Sequence, residues 1–343
     1  MKILYGVLTG KSGGDVYSDL LKSSQKKFSH EISYKSYHRN WSFDPYLLKR
    51  FVKIDSQFDL IHSNAEYGFA FKKQSIPLII SVLHIINKPM KTDYLTLPQK
   101  MYYQLMLSYI RRSLKAAKFV VAISKATEET VRNLYGITNI KTIYCGIDTD
   151  IFKPVLIDQD PYPDKIKLLF VGNLTKRKGV DLLPQIMDKL DNRYVLLYTT
   201  GLRTPKRVFT NKRMIPLGRL STSEMIHWYN VCDICLLPTR LEGFGYAIAE
   251  AMACGKPVVT SNCSSLPEIV INGENGFLCQ VGNVADFVDK IQTLANNPAM
   301  CNNMGNNNRN RIINFFSIEK MGKEYNELYQ HVAKDYNYLR GEK

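Results

Sequence analysis

The segment that decides the fold reads LEGFGYAIAEAMACGKP, from Leu241 to Pro257. It follows the short apolar run Ile234–Leu237, which is typical of a buried strand. Gly243 and Gly245 allow the backbone to turn tightly, and the small apolar residues 246–253 predict a helix. A strand, a glycine turn and a helix in this order form the building unit of a parallel α/β sheet. The free N–H groups at such a helix start bind phosphate or sugar oxygens.

Two glutamates in this segment predict a ligand site. Glu250 lies inside the predicted helix among Ala, Ile and Met, where a carboxylate without a partner is costly. The hydroxyl groups of a bound diol would satisfy it, and the alternative is a structural glutamate held by the backbone or by an arginine. Glu242, in the turn before the helix, has the alternative of an ordinary solvated residue. The two carboxylates together favour the ligand site.

Short β-branched runs alternate with longer helical stretches on both sides of this segment. The predicted strands are residues 3–8, 60–62, 78–82, 119–123 and 141–143 in the first half, and residues 167–171, 194–199, 214–217, 234–237 and 257–260 in the second. This pattern predicts an α/β protein with two Rossmann-like, doubly wound parallel sheets, one in each half.

The alternation is interrupted near the middle of the chain. Residues 155–165 contain several Asp and Pro residues and little apolar periodicity, as a linker does. We therefore expect a first domain over residues 1–160, a second over residues 161–316 and a final helix over residues 317–343. The asparagine-rich stretch 302–310 is interpreted as a polar connection before that helix.

The positive charge of the chain is unevenly distributed. Of the formal net charge of +15, residues 1–150 carry +10, because 22 Lys and Arg there stand against 12 Asp and Glu. We expect the first half to bind an anionic ligand or surface that is not a nucleic acid.

Two further features of the sequence bear on location. No run approaches the roughly 18 apolar residues of a membrane-spanning helix, and the apolar start is too short for a signal peptide. The seven cysteines are scattered and odd in number, which favours free thiols in a reducing compartment. We expect a cytoplasmic protein, with membrane contact only at a surface.

The two glutamates, separated by seven residues, and the AMACGKPVV that follows resemble the signature of retaining glycosyltransferase family 4. Further stretches resemble that family in the same order along nearly the whole chain. They are Gly13–Gly14, VLH at 82–84, AISK at 122–125, CGIDTDIFKP at 145–154, FVGNL at 170–174 with Lys178-Gly179, and LPEIV at 266–270 with NGFL at 275–278. The resemblance implies the GT-B fold, in which two such domains face a central cleft.

The resemblance also implies site residues, position by position. The implied catalytic residues are His84, Arg177, Lys178 and Glu242, and the implied donor-binding residues are Gly13, Gly14, Asn173, Arg219, Leu220, Gly243, Phe244, Gly245 and Glu250. Glu250 would hold the ribose hydroxyls of a nucleotide diphosphate sugar, and Glu242 with the amides of the glycine turn would hold the transferred sugar. Lys178 would neutralise the leaving diphosphate, where negative charge develops.

The chain departs from the family at Asn173, since the family usually has Arg directly after the glycine that corresponds to Gly172. Arg177 is our preferred substitute for that cation, and Lys176 is the second choice. A plain solvated turn is the alternative for this basic run.

In the first half, Gly13 and Gly14 open a predicted helix and could approach the ligand by their backbone, although a simple tight turn explains them as well. His84 ends a predicted strand and resembles the family histidine near the reactive face of the sugar. A structural histidine is its alternative. His62 is the lesser candidate.

These implications define the expected function. The chain would move a sugar from a UDP- or GDP-sugar to a glycan or lipid-linked acceptor, in surface polysaccharide or glycolipid synthesis. We expect no cofactor and no metal, because no pair of aspartates of the kind that holds a metal-bound diphosphate is present. The alternatives are another GT-B enzyme, such as a sugar-nucleotide epimerase or a phosphorylase, and a basic protein that binds membrane surfaces.

One helical stretch could contact such a surface. Residues 97–118 follow a helical period that buries one face and leaves basic side chains on the other. The predicted contacts with anionic lipid, or with a pyrophosphate-linked acceptor, are Lys72, Lys73, Arg111, Arg112, Lys115 and Lys118. A solvated helix face is the alternative.

Overall fold

The computed structural model describes residues 1–10, 13–200 and 209–340. By their contacts these residues form two compact units: Met1–Gly146 together with the chain from Ile318 onward (unit 1), and Ile147–Ser317 (unit 2). Each unit contains a six-stranded sheet in which every neighbouring pair is parallel. The predicted α/β class with two Rossmann-like sheets is confirmed.

Among the described residues up to Gly146, unit 1 has six strands and four helices, and the last helix of the chain is added to them. In chain order they are β1 (Lys2–Thr9), α1 (Gly13–Ser24), β2 (Glu31–His38), α2 (Pro45–Phe51), β3 (Leu60–Asn64), β4 (Leu78–Val82), α3 (Leu97–Ala116), β5 (Phe119–Ala122), α4 (Lys125–Tyr135) and β6 (Ile140–Thr142). Short 3-10 turns lie at Arg39–Ser42, Gly68–Phe71 and Pro89–Lys91. The strand order is β2-β1-β3-β4-β5-β6. The central strands β3 and β4 are buried along their whole length, as expected of a sheet covered on both faces.

Unit 2 repeats this architecture with six strands and six helices among the described residues. In chain order they are β7 (Ile166–Phe170), α5 (Leu183–Lys189), β8 (Tyr194–Thr199), β9 (Met214–Gly218), α6 (Thr222–Val231), β10 (Ile234–Leu237), α7 (Tyr246–Ala253), β11 (Val258–Ser261), α8 (Leu266–Ile269), β12 (Gly276–Cys279), α9 (Val284–Ala295) and α10 (Pro298–Phe315). The strand order is β12-β11-β10-β7-β8-β9, and a 3-10 turn lies at Lys176–Lys178.

The last helix, α11 (Ile318–Arg340), returns to unit 1 and joins it by a buried hydroxyl network. Tyr329 Oη lies 3.0 Å from Tyr5 Oη and 2.7 Å from His62 Nδ1, and His62 Nε2 lies 2.7 Å from Ser81 Oγ. Burial lowers the pKa of His62 to about 3, so the imidazole is neutral and each ring nitrogen has a hydroxyl partner. His62 therefore has a structural place between the sheet and α11.

The predicted boundary near residue 160 differs from the division of the structure, where the unit changes between Gly146 and Ile147. The intervening residues are tied to unit 2 by specific bonds. Ile147 N donates to Phe316 O at 2.8 Å, and Val155 N donates to Asn230 Oδ1 at 3.0 Å. These bonds hold a segment that by composition resembles a free linker.

Two strands and one helix differ from the predicted pattern. The edge strand β2 alternates apolar with charged and hydroxyl residues and is at most half-buried, so it was not among the predicted strands. The edge strand β12 was also not among the predicted strands, and it has only four residues. The asparagine-rich stretch 302–310 lies inside α10, so its interpretation as a polar connection was wrong. Met304, Asn308 and Ile312 recur every four residues on the buried face of that helix.

Helix α3 has the two faces that its period predicts. Met106, Ile110 and Leu114 are buried, and Arg111 and Lys115 are exposed. None of the helices within the described ranges is long and apolar enough to cross a membrane.

Candidate active site

The strand order of unit 2 changes direction between β7 and β10. The chain proceeds from β7 to β8 and β9 on one side, and from β10 to β11 and β12 on the other. In a doubly wound sheet, ligands bind in the crevice outside the carboxyl ends of the strands at this point. The loops that follow β7 and β10 meet there.

Glu242, in the loop after β10, is held by two donors. Lys178 Nζ donates to Glu242 Oε1 at 2.7 Å, and Thr239 Oγ1 donates to the same oxygen at 2.9 Å. Burial by itself would raise the pKa of Glu242. The positive charges of Lys178 and Arg177, with these hydrogen bonds, hold that pKa below its ordinary value. Glu242 is therefore a buried, ionised carboxylate and not a solvated residue.

The approach of the two loops depends on Gly179. This glycine ends the 3-10 turn Lys176–Lys178 with a φ of 75°, in the left-handed region. A Cβ atom at Gly179 would lie 1.8 Å from the carbonyl oxygen of Pro238. Any other residue would push the turn away from the loop after β10 and separate Lys178 from Glu242.

Arg177 also lies beside this carboxylate. Its Nη1 donates to the carbonyl oxygen of Leu241 at 2.6 Å, and its charge contributes to the lowered pKa of Glu242. Arg177 is half-buried, whereas Lys176 is exposed. Arg177, the preferred substitute for the missing arginine, is therefore near enough for its charge to act on Glu242.

The glycine turn presents backbone donors to the same crevice. The N–H groups of Gly243, Phe244 and Gly245 donate to no group among the described residues. Ser265 Oγ donates to the carbonyl oxygen of Phe244 at 2.8 Å and fixes the turn. Gly245, with a φ of 107°, caps the start of α7. N–H groups inside a protein are normally paired. Phe244 and Gly245 are buried and Gly243 is half-buried, so these three consecutive donors indicate a place for ligand oxygens.

Glu250 lies one and a half turns into α7 and is half-buried. It is not without a partner, because the fully buried Tyr229 donates its hydroxyl to Glu250 Oε2 at 2.7 Å. Burial raises the pKa of Glu250 to about 7, although this hydrogen bond and the charge of Lys178 act in the opposite direction. The carboxylate makes no other hydrogen bond within the described ranges. It therefore retains acceptor capacity.

Three other predicted donor-binding residues lie at the same edge of the sheet. Asn173 is half-buried in the loop after β7, and its carbonyl oxygen accepts a hydrogen bond from Thr175 N at 2.8 Å. Arg219 is exposed and Leu220 is half-buried directly after β9. Because β9 is two strands from β7, this end of the site lies about 10 Å from the crevice.

The predicted residues of the first half lie at the carboxyl edge of the unit 1 sheet. Gly13 and Gly14 begin α1 after β1, and a Cβ atom at Gly13 would meet no atom within 4 Å. Close packing thus does not require a glycine at residue 13. His84 is half-buried two residues beyond β4 and lines a small cavity of about 10 Å³ with Tyr103 and Met106 of α3.

The sequence analysis missed Thr239 and Tyr229. Thr239 could have been found, because it lies two residues after a buried strand, at the carboxyl edge where ligands bind in such sheets. Tyr229 carries no such signal, since it lies 21 residues before Glu250 in a helix of mixed composition. Within the described ranges, no group of three or more His, Cys, Asp and Glu side chains is placed to hold a metal ion.

Comparison with known proteins agrees with this geometry. Residues 156–311 match the family described as Glycosyl transferases group 1, and residues 9–151 match Glycosyltransferase Family 4. The chain is 30% identical over 288 residues to an uncharacterized glycosyltransferase of Methanocaldococcus jannaschii, a match that covers 80% of this chain and 77% of that protein.

Two solved structures show the same fold. Sucrose-phosphate synthase from Thermosynechococcus elongatus is similar with a TM-score of 0.82 at 19% identity, over 96% of this chain and 98% of that one. Anabaena HepE in complex with UDP-glucose is similar with a TM-score of 0.76 at 18% identity, over 96% of this chain and 100% of that one. The two parallel sheets, the family matches and the archaeal relative agree: the chain belongs to glycosyltransferase family 4 and has the GT-B fold.

Proposed function

We propose that the enzyme moves a sugar, with retention of anomeric configuration, from a nucleotide diphosphate sugar to a hydroxyl group of a glycan or lipid-linked acceptor. The observation that carries this proposal is the Lys178–Glu242 pair beside the free N–H groups of the glycine turn. An ammonium group, a carboxylate and backbone donors around one turn can together bind the phosphate and hydroxyl oxygens of such a donor.

The proposed reaction breaks the bond between the anomeric carbon and the diphosphate oxygen. The acceptor oxygen forms its new bond to that carbon on the same face, and the departing phosphate takes the acceptor proton. The same-face course rests on the resemblance to the retaining family. Lys178 and Arg177 would meet the negative charge that grows on the diphosphate, so they favour the transition state over the bound substrate.

The ammonium group of Lys178 can bind Glu242 and the nucleotide sugar at the same time. An ammonium group has three N–H donors, and among the described residues the ammonium of Lys178 donates only to Glu242. Glu242 would accept hydrogen bonds from hydroxyl groups of the transferred sugar. We propose that no metal or cofactor is needed, because Lys178, Arg177 and the start of α7 supply the positive potential.

Glu250 would bind the ribose hydroxyls, for which it has spare acceptor capacity. A UDP-sugar is supported by the HepE complex with UDP-glucose, and a GDP-sugar is the alternative. Discrimination between the bases would fall to the backbone near Arg219 and Leu220, after β9.

The acceptor is proposed to be an intermediate of surface polysaccharide or glycolipid synthesis at the cytoplasmic face of the cell membrane. The support is the excess of positive charge in residues 1–150. Arg111, Arg112 and Lys115 are exposed as this proposal requires, whereas Lys72, Lys73 and Lys118 are half-buried.

A panel of labelled UDP- and GDP-sugars, offered in the presence of a chelator with water and simple glycosides as acceptors, tests the proposal. We expect one donor to be turned over, with the product in the configuration of the donor by NMR, and Glu242→Gln to abolish turnover. An epimerised donor without transfer would indicate an epimerase, and turnover only with inorganic phosphate would indicate a phosphorylase. Inverted product would refute retention.

A further inference from the structure

The exposed apolar residues of the chain are concentrated on unit 1. Among the described residues, sixteen large hydrophobic side chains are exposed, and half of them lie between residues 43 and 105. These eight, each 40–64% exposed, are Phe43, Tyr46, Leu47, Phe51, Met90, Leu97, Met101 and Leu105, and together they are called the apolar face. Single exposed apolar residues are ordinary, but a cluster marks an interaction surface.

The apolar face is continuous because α2 and its preceding turn pack along α3. The ring centroid of Phe43 lies 5.2 Å from that of Tyr102, and that of Tyr46 lies 5.8 Å from that of Tyr109. Tyr109 Oη donates to the carbonyl oxygen of Phe43 at 3.2 Å. Leu105 lies between these two tyrosines on α3, so the exposed residues of α2 and α3 adjoin.

The exposed stripe of α3 changes from apolar to basic along the helix. Leu97, Met101 and Leu105 recur every four residues. At spacings of three to four residues the same stripe continues through Ser108 to Arg112 and Lys115, where both cations are exposed. Arg112 also covers the ring of Tyr46, with its guanidinium carbon 4.9 Å from the ring centroid. The apolar face therefore has a basic margin.

The surrounding charge identifies the kind of partner. Residues 39–53 and 88–118 contain eleven Lys and Arg and two Asp, so these two segments carry +9 of the net +15. Seven of the eleven cations are lysines, a residue that is depleted in protein–protein interfaces. Lysine beside apolar side chains is instead typical of segments that lie in the headgroup region of anionic bilayers.

We infer that the apolar face docks on an anionic lipid bilayer, with its aliphatic and aromatic side chains in the interfacial layer and the basic margin on lipid phosphates. This inference deepens the proposed function, because it rests on an acceptor presented by the membrane. It assigns the contact to apolar insertion as well as to charge.

Trp41 provides a reporter beside Phe51 of the apolar face. It is half-buried in the turn before α2, with its ring centroid 5.4 Å from that of Phe51. The chain has only one other tryptophan, Trp228 in unit 2, so Trp228→Phe leaves Trp41 as the sole emitter. This background is used for every variant in the test.

The test measures partition to vesicles of equal phosphatidylglycerol and phosphatidylcholine, at low salt and at about 0.15 M salt. The apolar variant carries Leu97→Gln, Met101→Gln and Leu105→Gln, and the basic variant carries Arg111→Gln, Arg112→Gln and Lys115→Gln. The matched control carries Ile151→Gln, Leu156→Gln and Ile313→Gln, three exposed apolar residues of unit 2.

We expect the parent to bind and its Trp41 emission to shift to shorter wavelength. The apolar variant should bind at least about tenfold more weakly at 0.15 M salt and show no shift, because three apolar side chains no longer leave water. The basic variant should bind more weakly with a smaller dependence on salt, and the control should behave like the parent. Unchanged melting temperatures verify that each variant is folded.

Three results would overturn the inference: no binding by the parent at low salt, equal binding by the apolar variant and the parent, or self-association of the parent that the apolar variant abolishes. Hydrolysis of the donor in solution is measured for every variant. If no variant and not even the parent hydrolyses the donor, the result counts against the proposed function alone. If hydrolysis is intact but the parent does not bind vesicles, the result counts against the docking surface alone.

Discussion

Two lysines lie at opposite ends of strand β7 in unit 2, and the comparison between them separates a structural charge from a functional one. The ammonium of Lys167, near the amino end, lies 2.9 Å from Asp160 Oδ2 and 3.2 Å from Asp233 Oδ2, and it donates to Lys165 O at 3.0 Å. Three acceptors match its three N–H donors. The ammonium of Lys178, beyond the carboxyl end, donates only to Glu242 among the described residues.

The two lysines differ in the number of N–H donors that remain available to a ligand. Burial would lower the pKa of Lys167, but Asp160 and Asp233 raise it above its ordinary value, so this ammonium is satisfied inside the protein. Lys178 keeps unused donors at the edge of the sheet where ligands bind. A buried charge whose hydrogen-bonding groups are all paired inside the protein has a structural role. A charge at the strand ends that keeps unpaired hydrogen-bonding groups is a candidate for a catalytic or binding role.

The largest expected effect tests this comparison directly. Lys178→Gln should lower kcat by about 10²–10³-fold, because it removes a preorganised charge from the leaving diphosphate. Steady-state turnover of the accepted donor measures it.

Lys167→Gln is the matched variant and should leave kcat within about twofold. Its free energy of unfolding should fall by about 1–3 kcal/mol in chemical denaturation, since both aspartates are partly solvated. Equal losses of turnover in the two variants would break the comparison.

Glu250 extends the comparison to a carboxylate that can still accept hydrogen bonds from a ligand. Glu250→Gln should weaken nucleoside diphosphate binding by about 10- to 100-fold, because a neutral amide accepts weaker hydrogen bonds from the ribose. Titration calorimetry measures the affinity. Gln retains an acceptor for the hydroxyl of Tyr229, so the fold should be kept. An unchanged affinity would remove Glu250 from the donor site.

The raised pKa of Glu250 predicts a dependence on pH. With a pKa of about 7 in the free enzyme, the ionised fraction, and with it the affinity for the nucleoside diphosphate, should rise about tenfold between pH 6 and pH 8. Glu250→Gln should lose this part of the pH profile. A wild-type profile that is flat over this range would contradict an ionised Glu250 in binding.

The free energy of unfolding should fall as the pH rises, whereas the affinity for the nucleoside diphosphate should increase. Because the folded pKa lies above the unfolded one, the folded state holds the proton more tightly, and stability falls as pH rises from about 4.5 through 7. Relative to wild type, Glu250→Gln should therefore gain about 1–3 kcal/mol between pH 5 and pH 8. Chemical denaturation at both pH values checks the sign.

The smallest expected effect concerns Arg177, whose guanidinium is only partly committed to Leu241 O. Arg177→Ala should reduce turnover about tenfold and leave affinity for the nucleoside monophosphate unchanged, since the charge that it meets develops on the diphosphate. Comparable losses of affinity for mono- and diphosphate ligands would indicate that Arg177, like Lys167, has a structural role.

The fold was predictable because several of its central strands are rich in apolar residues. Strands such as β4 and β10 are buried on both faces, so composition alone marks them. The edge strand β2 alternates in polarity, and α10 hides its buried face among asparagines, so neither has the signal on which the prediction relied.

The candidate site was predictable only as a set of residues. The motif named Glu242, Glu250 and Lys178, but not their partners. Lys178 and Glu242 are 64 residues apart, and their pairing depends on Gly179 lying against the loop after β10. The hydroxyl of Tyr229 meets Glu250 because α6 and α7 are neighbours in space, which no local pattern reveals.

The place of α11 in the chain sets the order in which the protein can be completed during synthesis. Residues 1–146 are synthesised before unit 2, yet Nδ1 of the buried His62 imidazole and the phenol of Tyr5 find their partner in Tyr329, on α11. All of unit 2 is translated in between and can fold as a continuous stretch. The hydroxyl network of the first unit therefore stays incomplete, with these polar groups open to water, until α11 has been synthesised.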